Sequence, residues 1–292
     1  MFHKYEEIFL DNGYEVKNLL GEGGFGIVLL LYDIYDKVYC VGKIINISNI
    51  VGTLTFRKRQ NYYQTKYDRY KDRKECIQNE GGILACLKNS KYCVKILDFI
   101  EDIPAIVMEY CEGGNINEVL QDMTNKDKLA AIYQILLGIE FCHKKNIIHG
   151  DLKPQNILLK YKYIPNKINE NLIKISDFGL SVRRDNNENK LFGGTRGYRA
   201  PEVRENGTGG SFPSDIYSIG KMFYEILTNC SSEKVIKIKY INFDNNNKKI
   251  KRCLNSNYFI EQLKKCLHPI PNLRPNITSL REDFEEIYCE YV

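Results

Sequence analysis

The stretch His149-Gly150-Asp151-Leu152-Lys153-Pro154-Gln155-Asn156 constrains this chain more than any other. It sets a carboxylate, an ammonium and a carboxamide within one short loop. Twenty-one residues beyond Asn156, Asp177-Phe178-Gly179 adds a second acid two residues before a glycine. Each piece alone has an ordinary reading. An Asp before Leu-Lys serves as a cap or turn residue, and Asp-Phe-Gly fits a type II turn. Taken in this order they supply the parts that phosphoryl transfer uses. A carboxylate orients the attacking hydroxyl, a cation offsets charge on the moving group, and an Asn and an Asp hold magnesium against phosphate oxygens.

Gly21-Glu22-Gly23-Gly24-Phe25-Gly26-Ile27-Val28 has the spacing of a glycine loop that brings backbone N–H groups close to phosphate oxygens. The same spacing also suits a dinucleotide site, which requires a helix to follow. Here Val28-Leu29-Leu30-Leu31-Tyr32 reads as a strand, which argues against that site. Cys40-Val41-Gly42-Lys43 reads as another strand. Glu80 sits in a helical pattern with Ile83 and Leu84, and Val94-Lys95-Ile96-Leu97 reads as the next strand. Glu75 competes with Glu80 as the acid of that helix.

Together these pieces resemble the protein kinase catalytic domain. The resemblance runs from about Tyr14 to Phe284. It implies an α+β, bilobal fold with a small β-rich N-lobe and a larger, mostly helical C-lobe. The chain would be one kinase domain over 1–292, with N-lobe and hinge at 14–111 and C-lobe at 112–288. It also implies roles. Asp151 orients the substrate hydroxyl, Lys153 sits near the moving phosphoryl, and Lys43, steered by Glu80, fixes the nucleotide phosphates. Gly21, Gly23, Gly26, Val28, Val41, Met108, Glu109, Cys111 and Leu158 surround ATP. Asn156 and Asp177 hold magnesium, or manganese in its place. Ala200-Pro201-Glu202, Asp215 and Arg274 match later family positions. Leu84, Ile96, His149 and Phe178 match an apolar column.

Leu152-Lys153-Pro154 after Asp151, and Thr195 ahead of Ala200, resemble the serine/threonine class. The expected activity is transfer of the γ-phosphoryl of ATP to protein Ser and Thr hydroxyls. A pseudokinase scaffold is the alternative, and a small-molecule kinase a remote third reading. Several departures from the family pattern stand out. Gly150 replaces the Arg that receives an activation-segment phosphate, and Leu191 stands at the usual phosphosite; both point to activity without that phosphate. Val41 replaces an Ala, Gly81-Gly82 interrupt the helix of Glu80, and Tyr217 replaces a Trp.

Hydrophobic residues make up 43% of the 292 positions, enough for a real core. No run of 18 apolar residues suggests a membrane span. Met1 to Glu7 lacks the apolar stretch of a signal peptide. The ten Cys contain no C-x-x-C pair and read as buried free thiols in a reducing compartment, the cytoplasm or the nucleus. The basic, tyrosine-rich stretch 57–74 reads plainly as an exposed insertion with solvated charges. Its sharper reading is a docking surface for an acidic partner, membrane headgroups or nucleic acid, of which the acidic partner is expected and nucleic acid is not. Tyr161 to Leu172 reads as a long hairpin tip.

Overall fold

A computed structural model describes residues 3–23, 26–45, 74–101, 104–168, 173–184, 193–205, 209–229 and 257–291. It forms two compact units, Met1–Lys88 with Val94–Tyr110, and Asn89–Cys93 with Cys111–Val292. The stretch 57–73, Leu191 and the tract around 242–251 lie outside the described residues.

The first unit is a five-stranded antiparallel sheet in the order β1-β2-β3-β5-β4. Its strands are β1 (Tyr14–Gly23), β2 (Gly26–Asp33), β3 (Tyr39–Ile44), β4 (Ile96–Ile100) and β5 (Ala105–Glu109). Period-two alternation sorts the side chains. Ile27, Leu29 and Leu31 are buried on one face, while Val28 and Leu30 point to the other. Helix α1 (His3–Asp11) covers the first face. Its Tyr5 and Phe9, one turn apart, join Leu29, Leu31, Cys40 and Ile44 in a single core. Gly42 makes this possible: a Cβ there would come within 2.7 Å of both the Phe9 ring and Leu31. Burying Phe9 completely contributes about 2–3 kcal/mol.

Helix α2 (residues 74–86) approaches the opposite face. A Cβ on Gly81 would lie 3.0 Å from the Phe99 ring and 3.8 Å from Ile106. Gly81 therefore permits a close helix–sheet approach. Gly82 has open space around it, and only its helix-propensity cost remains. β4 begins at Ile96, two residues later than the pattern from Val94 suggests. Cys93 bridges instead to Ile175, so the chain before Ile96 is committed elsewhere.

The second unit is mostly helical: α3 (Ile116–Val119), α4 (Asn125–Lys144), α5 (Pro201–Glu205), α6 (Phe212–Thr228), α7 (Asn257–Cys266) and α8 (Ile277–Tyr291). α6 is buried from Ser214 to Thr228. Its start is fixed by Ser211 and Ser214, which cap each other's backbone N–H groups, with Pro213 in the first turn. α8 packs on α4 through stacked Tyr133 and Tyr288 rings, 4.6 Å apart. Phe259 of α7 meets Phe284 of α8 at 5.2 Å.

Two short two-stranded sheets carry the loops of interest. β6 (Ile147–Ile148) pairs with β9 (Val182–Arg183), and β7 (Ile157–Leu159) with β8 (Ile173–Ile175). The segment joining β7 to β8 is more than a hairpin tip. Tyr163 Oη donates to Asp127 of α4 at 2.7 Å, as do the N–H groups of Asn166 at 2.9 Å and Ile168 at 3.3 Å. Burial alone would raise the Asp127 pKa, but these donors outweigh it and hold the carboxyl below its usual range. The free thiols also differ from expectation. Cys40, Cys93, Cys111, Cys142 and Cys266 are buried, whereas Cys86 and Cys289 are exposed near helix ends.

Among the described residues, no helix is long and apolar enough to cross a membrane.

Candidate functional site

In the first unit, strand register gathers the expected nucleotide-binding residues. Gly21 pairs with Val28, and Val28 with Lys43. Val41 pairs with Met108, and Lys43 with Ile106. Direct partners share a face in an antiparallel sheet, so Val28, Lys43, Val41 and Met108 lie on the face opposite α1. Gly23 and Gly26 are the last pair in the register of β1 and β2. Glu109 follows Met108, and its Oε1 accepts from Lys95 N–H at 2.9 Å.

Lys43 Nζ donates to Glu80 Oε1 at 2.9 Å and Oε2 at 2.7 Å. Lys43 is 7% exposed and Glu80 1%. The pair is therefore desolvated, and losing either partner strands a buried charge. Of the two acids considered for this role, Glu80 engages Lys43, while Glu75 is on the exposed side of α2.

In the second unit, Asp151 is held from three directions. Lys153 Nζ donates to its Oδ2 at 2.6 Å, Asn156 Nδ2 to the same oxygen at 3.3 Å, and Thr195 N–H to Oδ1 at 2.6 Å. Lys153 also donates to Thr195 Oγ1 at 2.7 Å. The carboxylate is 7% exposed, so these charge-assisted bonds act at low local dielectric.

The loop itself hangs from α6. Asp215 accepts from His149 N–H and Gly150 N–H, both at 2.9 Å, and its Oδ2 also lies 3.0 Å from His143 Nε2. The His149 ring accepts from Asp151 N–H through Nδ1, which leaves Nε2 to donate to Ser176 O at 3.1 Å. The rings of His149 and Phe178 are 4.8 Å apart, and both residues are fully buried. Leu84, in the first unit, is also buried; Ile96 is only partly so.

Asn156 Nδ2 also donates to Asp151 O at 2.8 Å. With its nitrogen so engaged, its amide oxygen is the group left to face a cation. Ser176 N–H and Oγ both bond Asn156 O, at 2.9 and 3.0 Å, which ties Asn156 to the residue before Asp177. Asp177 sits at φ 61°, ψ 66°, a left-handed conformation that costs a non-glycine residue about 1–3 kcal/mol. Strain of this kind collects at functional positions. One amide and one carboxylate suit magnesium, which keeps several waters and relies on substrate phosphates for other ligands.

Cys111 is buried. Leu158 bridges to Asn115, and Gly113 N–H donates to Leu159 O, so the chain following Cys111 is pinned beside Leu158.

The segment after Gly193 is also tied down. Tyr198 Oη donates to Glu225, and Ser218 Oγ donates to Tyr198 O at 2.9 Å. Arg274 makes a bidentate pair with Glu202 at 2.7 and 2.8 Å. The motif pattern points to Thr195, Asp215 and Arg274. It gives no signal for Ser218, Glu225 or the side chain of Arg199, whose contacts depend on how the segment turns back on itself.

Comparison with known proteins agrees with this arrangement. The sequence model of a family described as protein kinase domain matches residues 14–284. The chain is 29% identical over 256 residues to a probable serine/threonine-protein kinase of Clostridium perfringens, covering 80% of this chain and 32% of that protein. It is 25% identical over 280 residues to the probable serine/threonine-protein kinase PLK of Dictyostelium discoideum, covering 92% and 26%. It is 30% identical over 225 residues to the serine/threonine-protein kinase cds1 of Schizosaccharomyces pombe, covering 74% and 44%. The chain thus spans less than half the length of each of these relatives.

Proposed function

The chain belongs to the protein kinase family, and from that premise we propose that it is an active serine/threonine kinase. It transfers the γ-phosphoryl group of ATP to Ser and Thr hydroxyls of proteins. The observation that carries this reading is the Asp151 carboxylate, held on both oxygens by Lys153, Asn156 and Thr195.

So held, Asp151 orients a substrate hydroxyl and takes its proton as the oxygen bonds phosphorus. Lys153 offsets charge on the transferring group, and Lys43, aimed by Glu80, fixes the nucleotide phosphates. Asn156 and Asp177 hold magnesium or manganese, which when bound neutralises charge on the phosphate oxygens. Gly21, Gly23 and Gly26 cover the phosphates. Val28, Val41 and Met108, on one face of the first unit's sheet, take up the adenosine. Catalysis of this kind rests on positioning and electrostatics, and the intact ion pair and carboxylate favour it over the pseudokinase reading. The serine/threonine class is supported by Thr195, whose hydroxyl accepts from Lys153, and by the names of the relatives.

We further propose that activity does not depend on a phosphate in the activation segment. Gly150 offers no guanidinium to receive one, and Leu191 offers no hydroxyl to carry one. Gly150 lies at φ +80°, and a Cβ there would approach Leu180 O to 2.8 Å, so the backbone itself favours glycine. The protein acts in the cytoplasm or nucleus, and the basic stretch 57–74 docks an acidic partner.

The test is phosphotransfer from labelled ATP with magnesium to a generic basic protein. Asp151→Asn and Lys43→Met are each expected to abolish nearly all transfer while the protein stays folded by circular dichroism. Transfer at the wild-type rate in Asp151→Asn would remove the role given to that carboxylate. No transfer by the wild-type protein, with ATP still bound, would favour the scaffold.

A further inference from the structure

We infer that Arg199 is a positioning residue for the catalytic carboxylate, acting through a single peptide unit, Gly194–Thr195. The inference rests on the kinase reading above.

The Thr195 N–H that donates to Asp151 Oδ1 at 2.6 Å belongs to the same peptide as the Gly194 carbonyl. That carbonyl accepts from Arg199 Nη2. No cis peptide occurs among the described residues. In a trans peptide C=O and N–H point in opposite directions. Drawing the carbonyl toward Arg199 therefore aims the N–H at Asp151. A guanidinium on the oxygen also polarises the peptide and strengthens its N–H as a donor.

The base of Arg199 is fixed independently. Tyr198 and Arg199 both donate N–H to Thr195 O, at 3.1 and 3.3 Å. This turn folds Arg199 back over the peptide it holds. Tyr198, 2% exposed, is anchored to α6 through Ser218 and Glu225. A connected path thus runs from buried α6 through Tyr198 and Arg199 to the Gly194–Thr195 peptide and Asp151.

Glycines bring the parts together. Gly194 lies at φ +101°, and a Cβ there would meet Gly150 O at 2.8 Å. The catalytic loop and the segment thus touch backbone to backbone. Arg199 lines a small cavity with Gly150, Gly193, Ser214 and Ser218. At Gly150, where kinases that need a segment phosphate carry the cation that receives it, this chain has none. Arg199 brings a resident cation to the same neighbourhood from the segment itself, and its acceptor is a backbone carbonyl in place of a phosphate.

The experiment uses the whole chain with Arg199→Met, Arg199→Gln and Arg199→Lys. Met removes the donor, Gln keeps a neutral one, and Lys keeps the charge without the planar fork. Two quantities are read: steady-state kinetics with magnesium-ATP and a basic protein, and the Thr195 amide proton in protein labelled with nitrogen-15 threonine. Arg199→Met is expected to lower kcat about tenfold with KM for ATP changed less than about twofold. Its Thr195 amide proton moves upfield as the bond to Asp151 lengthens. Arg199→Gln and Arg199→Lys restore both readouts in part. Wild-type kcat in Arg199→Met, or a lowered kcat with the Thr195 resonance unmoved, overturns the inference. So does failure of both Gln and Lys to recover any of the lost rate in folded protein. If Met prevents folding, the same readouts on Gln and Lys decide: kcat must fall in step with the upfield movement of the Thr195 amide, and a lowered kcat with the resonance unmoved, or no change in either readout, overturns the inference. The amide measurement needs no turnover, so an inactive wild type would refute the kinase reading while the positioning contact is still tested.

Discussion

Replacing Arg274 tests how the segment bearing Thr195 is held at its far end. An arginine has five N–H donors, and Arg274 uses them on five acceptors. Nη1 donates to Glu202 Oε1 at 2.7 Å and Pro213 O at 2.8 Å. Nη2 donates to Glu202 Oε2 at 2.8 Å and Pro269 O at 3.3 Å. Nε donates to His268 O at 2.8 Å. The side chain is fully buried and that of Glu202 is 14% exposed. A lysine has only three donors, so Arg274→Lys leaves at least two acceptors unmet. Each unmet buried group costs about 1–3 kcal/mol, for a loss of about 3 kcal/mol. Arg274→Met strands the Glu202 carboxylate, and breaking a buried pair in this way costs about 3–5 kcal/mol. With an unfolding entropy near 2.1 cal/mol/K per residue, about 3 kcal/mol lowers Tm by roughly 5 °C for a cooperative chain of this size. The assay is thermal unfolding by circular dichroism, with urea unfolding as a second probe. Adding Glu202→Gln to Arg274→Met is expected to recover part of the loss, because no charge is then stranded. An Arg274→Lys variant within about 0.5 kcal/mol of wild type would refute the count of five bonds.

Three further outcomes follow from the same geometry. Gly82→Ala, with open space around it, is expected to stabilise the first unit by about 0.5–1 kcal/mol, whereas Gly81→Ala, facing Phe99 at 3.0 Å, destabilises it; urea titration of both variants checks the opposite signs. Gly150→Ala forces a side chain into a left-handed conformation against Leu180 O and is expected to cost about 1–3 kcal/mol by the same titration. Its hydrogen-bond donors hold the Asp127 carboxyl below the ordinary value of 3.8, so its stabilisation is present above that value and is lost as pH falls through the folded pKa; the stability gap between wild type and Asp127→Asn is expected to be full at pH 6 and to shrink steadily below pH 4.

Much of this was readable in the chain because some chemistry demands particular residues at particular spacing. Asp151, Lys153 and Asn156 share one loop, so sequence distance is nearly spatial distance. Glu80 was distinguishable from Glu75 because Ile83 and Leu84 follow it at helix spacing, and the pair with Lys43 is formed. The register that sets Val28, Val41 and Lys43 on one face was not readable, because β2 is apolar at every position from Ile27 to Leu31. Contacts between distant segments that no motif marks were not readable. Helix α1 precedes the family resemblance, and its Phe9 finds room only because Gly42 lacks a side chain. The segment 161–168 read as a surface tip, yet Asp127, about 40 positions away, holds it through Tyr163 and two backbone N–H groups. Gly81 read as a helix defect, whereas the structure shows it as a close approach to Phe99. Arg199 carries no motif signal, because its partner is a backbone carbonyl that any residue could present.

The most direct measurement of the central claim is phosphotransfer by protein first stripped of phosphate. Phosphatase-treated wild type, with magnesium and γ-labelled ATP, is given a basic protein substrate, and the label is then assigned by phosphoamino acid analysis. The account predicts label on Ser and Thr at most of the untreated rate, with nearly none for Asp151→Asn. A tenfold fall after treatment, about 1.4 kcal/mol of barrier, recovered on rephosphorylating residues between Asp177 and Glu202, would contradict it, as would label on tyrosine or no label at all.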